Sequence, residues 1–236
     1  NSVSDAGAKA RSASASRQNQ NFASHYPENS WTRAFLEHYN QSVEVPLSDY
    51  HDIGPDERKE ALRSFLERSE VKNELRRFRT YTSKDLTVHD DLSEDAFRRY
   101  GNEVAQVFID NSSPYEETAL TIYHKAREYD GETQDALLDE LRRTRQRFEN
   151  IQLGLAALSI PTDAVDVHID LLNGLSLLEK RTAGMTLFSL DPIRGVINAG
   201  GFKAQSKYFV SAYLQLEEYL DEREVTFGQN EPGSTI

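Results

Sequence analysis

The sequence predicts an all-α fold, an antiparallel helical bundle with an N-terminal helical arm and disordered termini. Three observations predict it. Apolar residues recur at spacings of three and four over long stretches. Helix starts marked by Ser, Thr or Asp, often followed by proline, alternate with glycine or proline stops across short links. Charged residues make up 28% of the 236 residues and hydrophobic ones only 38%, as expected of polar-faced helices between disordered ends.

The elements follow in order. Residues 1–27 read as a disordered spacer, rich in Ser, Ala, Asn and Gln, with no apolar face to offset the entropy of ordering it. Residues 28–91 read as a helical arm and connector. Ser30 can cap a helix over 30–40 that sets Trp31, Phe35 and Tyr39 on one side. Pro55 suits a first helical position, with Asp56 and Glu57 favourable in the first turn. Leu62, Phe65 and Leu66, then Val71, Leu75 and Phe78, predict two helical pieces with a break near Ser69. Between 79 and 91 the helical period is lost, which predicts a loop or a small hairpin about Ser83-Lys84-Asp85.

Residues 92–224 read as the bundle. Ser93 can cap a helix whose face is Phe97, Tyr100, Val104 and Phe108. Ser113-Pro114-Tyr115-Glu116 has the form of a capping box with proline at the first helical position. It predicts a helix carrying Tyr115, Ala119, Ile122, Ala126 and Tyr129, stopped at Gly131. Leu137, Leu141, Thr144, Phe148, Ile151, Leu155 and Leu158 form the next seam, ended by Pro161. Thr162 can cap its successor, with Val165, Ile169, Leu172 and Leu175 widened by Leu171 and Leu178. A connector with Gly184 is expected over 182–190, and Asp191-Pro192 then opens the last helix. The face of that helix is Phe202, Phe209, Tyr213, Leu216 and Leu220. Gly200-Gly201 inside it should cost roughly 1 kcal/mol per glycine relative to alanine. The pair suggests a thin face for close packing or a kink, with a break as the alternative. Residues 225–236 read as a disordered tail.

The formal net charge is −12, which argues against a face built to neutralise phosphates. The basic run Arg142-Arg143-Thr144-Arg145-Gln146-Arg147 has Asp139, Glu140 and Glu149 at pairing distance along a helix and reads as a solvated face. No nucleic-acid partner is expected. Zero cysteines exclude disulfides, thiolate metal sites and cysteine nucleophiles. No phosphate-binding loop, nucleophile elbow or zinc-protease helix motif is present.

No catalytic, cofactor or metal residue is assigned. His124 and Glu128 lie one turn apart but supply two of the three or four ligands a stable site needs. His168 lies at the edge of an apolar face and reads as a buried histidine bonded to a neighbouring helix. His89-Asp90-Asp91 precedes a helix start, where carboxylates complement the dipole. The triplets at Asn40 and Asn111 match glycosylation acceptors at the rate of chance. Tyr100, Tyr115, Tyr123, Tyr129, Tyr208 and Tyr213 fall on predicted seams, with packing as the default and a peptide-binding groove as the alternative. Tyr100, Asn102, His168, Asn173, Asp191, Gly200 and Gly201 are singled out as interaction or structural hot spots.

At Tyr100-Gly101-Asn102-Glu103, at His168-Ile169-Asp170-Leu171-Leu172-Asn173 and at Asp191-Pro192, the chain resembles uncharacterised helical envelope proteins of candidate-phyla (Patescibacteria) bacteria. The similarity covers roughly residues 80–220. It implies a helical domain outside the cytoplasm with an N-terminal membrane anchor, and it implies no activity. The architecture is also similar to helical minor pilus subunits of type IV secretion systems. The chain opens on Asn1, and its one methionine is Met185. The expectation drawn from this is an anchor or signal segment upstream of Asn1, with a shortened chain as the alternative. Function is therefore expected as a non-enzymatic, membrane-tethered structural or protein-interaction component of the cell envelope. The alternatives are a metal-binding or hydrolytic helical enzyme using His168 or His124, and a soluble cytosolic adaptor.

Overall fold

The computed structural model describes residues 25–42, 55–112 and 117–236. They form eight α-helices and one pair of short strands. The elements are α1 (Trp31–Ser42), α2 (Pro55–Leu66), α3 (Ser69–Arg76), β1 (Thr87–His89), α4 (Glu94–Asp110), α5 (Ala119–Ala126), α6 (Gly131–Ala156), β2 (Ser159–Pro161), α7 (Val165–Met185) and α8 (Pro192–Asp221). The fold is all-α but for the strands, packed as a helical bundle. It divides into two compact units. Of the described residues, 25–42, 55–77 and 187–196 form one unit; 78–112, 117–186 and 197–236 form the other.

In the first unit, α1 starts as its sequence implies. The Ser30 hydroxyl accepts from the Arg33 amide at 3.1 Å. Trp31, Phe35 and Tyr39 are all buried, and Phe35 meets Phe65 of α2 edge to face at 5.5 Å. Pro55 opens α2, and the break before α3 falls at Glu67 and Arg68, where the helical ladder ends and restarts.

In the second unit, α4 is capped by Ser93, whose hydroxyl accepts from the Ala96 amide at 3.3 Å. Phe97, Tyr100, Val104, Leu155, Leu171, Leu172, Leu175, Leu216 and Leu220 share one buried core. Most of the residues read from spacing therefore pack, while Tyr129 of the expected α5 face is exposed.

Several boundaries differ from expectation. Ser83–Asp85 is a 3-10 turn, closed by the Asp85 carboxylate accepting from the Thr82 amide and hydroxyl, each at 2.8 Å. The strand after it makes no hairpin. It pairs in parallel with β2, Thr87 opposite Ser159 and His89 opposite Pro161, a partner that no local pattern announces. Ser113-Pro114-Tyr115-Glu116 lies outside the described residues. The helix behind it starts at Ala119 and is capped by the Thr118 hydroxyl, which accepts from the Thr121 amide at 3.2 Å. Gly131 opens α6 instead of stopping α5; its left-handed φ of 61° reverses the chain there. The seam of α6 uses buried Leu138 more than half-buried Leu137. That helix ends at Ala156, before Pro161, and a 3-10 turn over Thr162–Ala164, without a side-chain cap, leads into α7. The expected connector is shorter, because α7 runs on through Thr182 and Gly184 to Met185. Gly184 can sit inside the helix because Asn198 packs on it; a Cβ there would lie 2.2 Å from the Asn198 amide.

The spacer over residues 1–24 lies outside the described residues. Residues 225–236, expected as a disordered tail, are ordered. Val225 and Gly233 are buried, and a 3-10 turn over Pro232–Thr235 packs on α4.

Candidate functional site

His168 is a fully buried polar side chain of the second unit, with 0% of its surface exposed. It sits on α7, and both ring nitrogens are engaged. Nε2 lies 3.2 Å from the carbonyl oxygen of Leu155. A carbonyl only accepts, so Nε2 carries the proton and donates. Nδ1 is then the acceptor, and the Tyr100 hydroxyl donates to it at 2.9 Å. Leu155 belongs to the last turn of α6, where its carbonyl already accepts from the Leu158 amide at 3.1 Å, and the imidazole adds a second donor to it. Burial lowers the His168 pKa to about 4 and pushes the Tyr100 phenol well above its ordinary value. At neutral pH both are uncharged and mutually satisfied.

A second polar group adjoins this one. The Tyr100 ring meets the Tyr219 ring edge to face at 6.4 Å. The Tyr219 hydroxyl donates to Asp163 at 2.7 Å, and Arg223 donates to the other oxygen of that carboxylate at 2.6 Å. Burial opposes ionisation of Asp163, yet the Tyr219 hydroxyl and Arg223 hold its carboxyl below the usual carboxylate range. The Arg223 guanidinium also stacks on Tyr219, 3.6 Å from the ring centre. None of Asp163, Tyr219 and Arg223 was singled out from sequence. Their spacing carries no signature, since Asp163 is brought to α8 by the tertiary fold alone.

The two asparagines clamp backbone. Asn173 on α7 accepts from the Tyr81 amide at 2.8 Å and donates to the Tyr81 carbonyl at 3.4 Å, which ties the connector to the bundle. Asn102 on α4 accepts from the Gly233 amide at 2.8 Å.

Asp191 belongs to the first unit and is 5% exposed. It caps its own helix, accepting from the Arg194 amide at 3.3 Å. It also caps α1. One carboxylate oxygen accepts from the Trp31 amide at 2.8 Å, and the other accepts from the Thr32 amide at 2.8 Å and the Thr32 hydroxyl at 2.7 Å. Thr32 returns the service, its hydroxyl accepting from the Ile193 amide at 2.9 Å. Two helix starts thus satisfy each other's orphan amides through one carboxylate and one hydroxyl. The positive ends of both helices favour the negative charge between them. Arg194 completes the arrangement, 3.3 Å from the carboxylate and 4.9 Å over the Trp31 ring.

The glycine pair plays two parts. α8 runs through it without a break. Gly201 lies under the Arg181 guanidinium, where a Cβ would approach to 2.8 Å, whereas a Cβ on Gly200 would meet nothing within 4 Å. Only Gly201 is a close contact.

The basic run of α6 is paired with carboxylates. Arg142 meets Asp139, Arg143 meets Glu140 at 2.8 Å, Arg147 meets Glu140 at 3.0 Å, and Arg145 reaches Glu179 on α7. His124 is exposed on α5 with its ring against Tyr123. Among the described residues no three His, Asp or Glu side chains converge as a metal site. Nor, among them, is any helix long and apolar enough to cross a membrane.

The outer face of α8 is different in kind. Lys203, Lys207, Val210 and Leu214, at spacings of four, three and four, are all exposed, and Val210 and Leu214 are 52% and 54% exposed. Exposed Tyr208 beside them donates to Asp170 at 3.0 Å. No protein-family model, curated protein or solved structure matches this chain.

Proposed function

We propose that this chain is a non-enzymatic helical interaction domain, and that the outer face of α8 is its contact surface. The observation that carries this reading is the apolar pair Val210 and Leu214, held in water at helical spacing beside Lys203 and Lys207. An apolar pair with cations on its N-terminal side and Glu218 beyond it fits a partner surface with an apolar centre and an acidic flank facing the lysines. The buried polar groups support the same reading. Tyr100, His168, Asn102, Asn173 and Asp191 each spend their hydrogen bonds on holding helices and backbone together. His168 in particular has both nitrogens occupied, the opposite of a group placed to take a proton from a substrate.

Site-specific photocrosslinking in the native organism tests this. A benzophenone amino acid at Val210 or Leu214 should trap one defined protein, and the same probe at Arg143 on the paired face of α6 should not. Val210→Asp with Leu214→Asp should abolish the crosslink while the circular dichroism stays unchanged. Equal trapping at 143 and 210, or none at either, refutes the surface. Residence in the cell envelope, as the resemblance at residues 100–103 and 168–173 implies, is part of the same proposal. Fractionation of cells expressing the native gene tests it, and product recovered only with cytosolic proteins refutes it.

A further inference from the structure

We propose that residues 225–236 exchange between two copies of this chain, each copy seating its segment on the other's α4. Three observations point to a segment that can leave as a unit and find an identical seat elsewhere.

The first is the hinge. Glu224 is the one non-glycine residue at positive φ among the described residues, at 55°. It lets the Val225 amide turn back to the Leu220 carbonyl at 3.2 Å, which ends α8. A residue with a Cβ is strained in that left-handed conformation. Glu222, Arg223 and Glu224 are good helix formers, and no glycine or proline follows until Gly228. Continuing α8 through Glu224 relieves the strain and carries residues 225–236 away from their own chain.

The second is self-containment. The Glu231 amide bonds the Gly228 carbonyl at 2.9 Å, the Ser234 amide the Glu231 carbonyl at 3.0 Å, and the Ile236 amide the Gly233 carbonyl at 3.2 Å. The Gly228 amide donates to the segment's own Glu231 carboxylate at 2.8 Å. These four bonds are made within the segment and need nothing from α4.

The third is a built seat. Phe227 lies between two glycines, one on each side of the contact. A Cβ on Gly101 of α4 would come within 2.6 Å of its ring, and one on Gly233 within 2.2 Å. Arg98 grips Glu231 with two bonds of 3.0 and 2.8 Å, and Asn102 takes the Gly233 amide at 2.8 Å. A second copy offers the same seat, so exchange remakes the contacts of Phe227, Glu231 and Gly233 and relaxes the strained Glu224 of each copy. The occupant is another copy because the seat is fitted to this segment's own Phe227, Glu231 and Gly233.

A charge-reversal mixing experiment on the 236-residue chain tests it. Arg98→Glu alone and Glu231→Arg alone each place like charges at the seat. Mixed, they match at both seats only if the segments cross over. Light scattering with one variant mass-tagged should find the heterodimer about tenfold tighter than either homodimer. Glu224→Gly in both partners, which suits the left-handed hinge, should weaken that heterodimer by about tenfold or more. The double variant Arg98→Glu, Glu231→Arg restores the pair within one chain and serves as the folding control. A mixture no tighter than its components overturns the proposal. So does a dimer indifferent to both the charge pattern and Glu224→Gly, which would be association through another face.

Discussion

Asp191 in the first unit and His168 in the second are both buried and both carry three-dimensional hydrogen bonding, yet they are stabilised in opposite ways. The Asp191 carboxylate is held by four amide or hydroxyl donors, two helix N-termini and Arg194. His168 stays neutral because burial removes the charged form, and a phenol and a carbonyl suffice for the neutral ring. The difference teaches what each junction tolerates. The first depends on donors gathered round one carboxylate, the second on a ring kept free of charge.

The largest expected effect breaks the first junction. Asp191→Ala removes caps from α1 and α8 together and strands the Thr32 hydroxyl. Caps are worth about 0.5–2 kcal/mol each, so the loss should be about 3 kcal/mol. Chemical denaturation measures the total, and hydrogen exchange should show the loss of protection at residues 31–34 while the Tyr100 and Leu155 amides keep theirs. Equal loss in both places would break the distinction between the junctions.

Acid tests the second junction at similar size. An ordinary imidazole titrates near 6.5, and that of His168 is lowered to about 4. Between these values the unfolded chain binds a proton that the folded chain refuses. The stabilisation is therefore complete above pH 6.5 and is lost as pH falls toward 4, by at most about 3 kcal/mol. Denaturant midpoints across that window should show the slope in the parent chain and not in His168→Leu.

Tyr100→Phe should be milder. It leaves the Nδ1 lone pair of His168 buried without its donor, at a cost of about 1–2 kcal/mol. Because the imidazole remains buried, the acid slope should persist, which separates the role of the phenol from that of burial. The smallest effects divide the glycine pair. Gly200→Ala meets open space and should stabilise by up to about 1 kcal/mol, as helix propensity dictates. Gly201→Ala should lose that gain against the Arg181 guanidinium, and the two thermal midpoints compare them directly.

Much of the fold was legible because helix starts and faces are local. Ser30, Pro55, Ser93 and Asp191-Pro192 mark real helix starts, and Phe97, Tyr100 and Val104 are buried as their spacing implies. The misses share a cause. The parallel pairing of β1 with β2, the run of α7 past Gly184, and the seating of residues 225–236 each depend on a partner distant in sequence. Phe227 looks like one aromatic residue in a polar tail until Gly101 is placed beneath it. The candidate residues followed the same rule. His168 was read correctly as buried and bonded to a neighbouring helix, but Tyr100 as its donor was not visible as such. Asp191 was read as the cap of one helix and serves two. Gly200 and Gly201 looked equivalent, and only the second is packed.

The sequence by itself determined the class of the molecule, the principal helices and most of their buried faces, because these follow from periodicity and end chemistry within one segment. The tertiary structure decided which polar groups meet. Thr32 and Asp191 stand far apart in sequence, as do Asp163 and Arg223, and Arg98 and Glu231. Such pairs form only when packing of the apolar faces has brought their helices together and excluded water from the contact, which is when a buried donor or acceptor must find its partner.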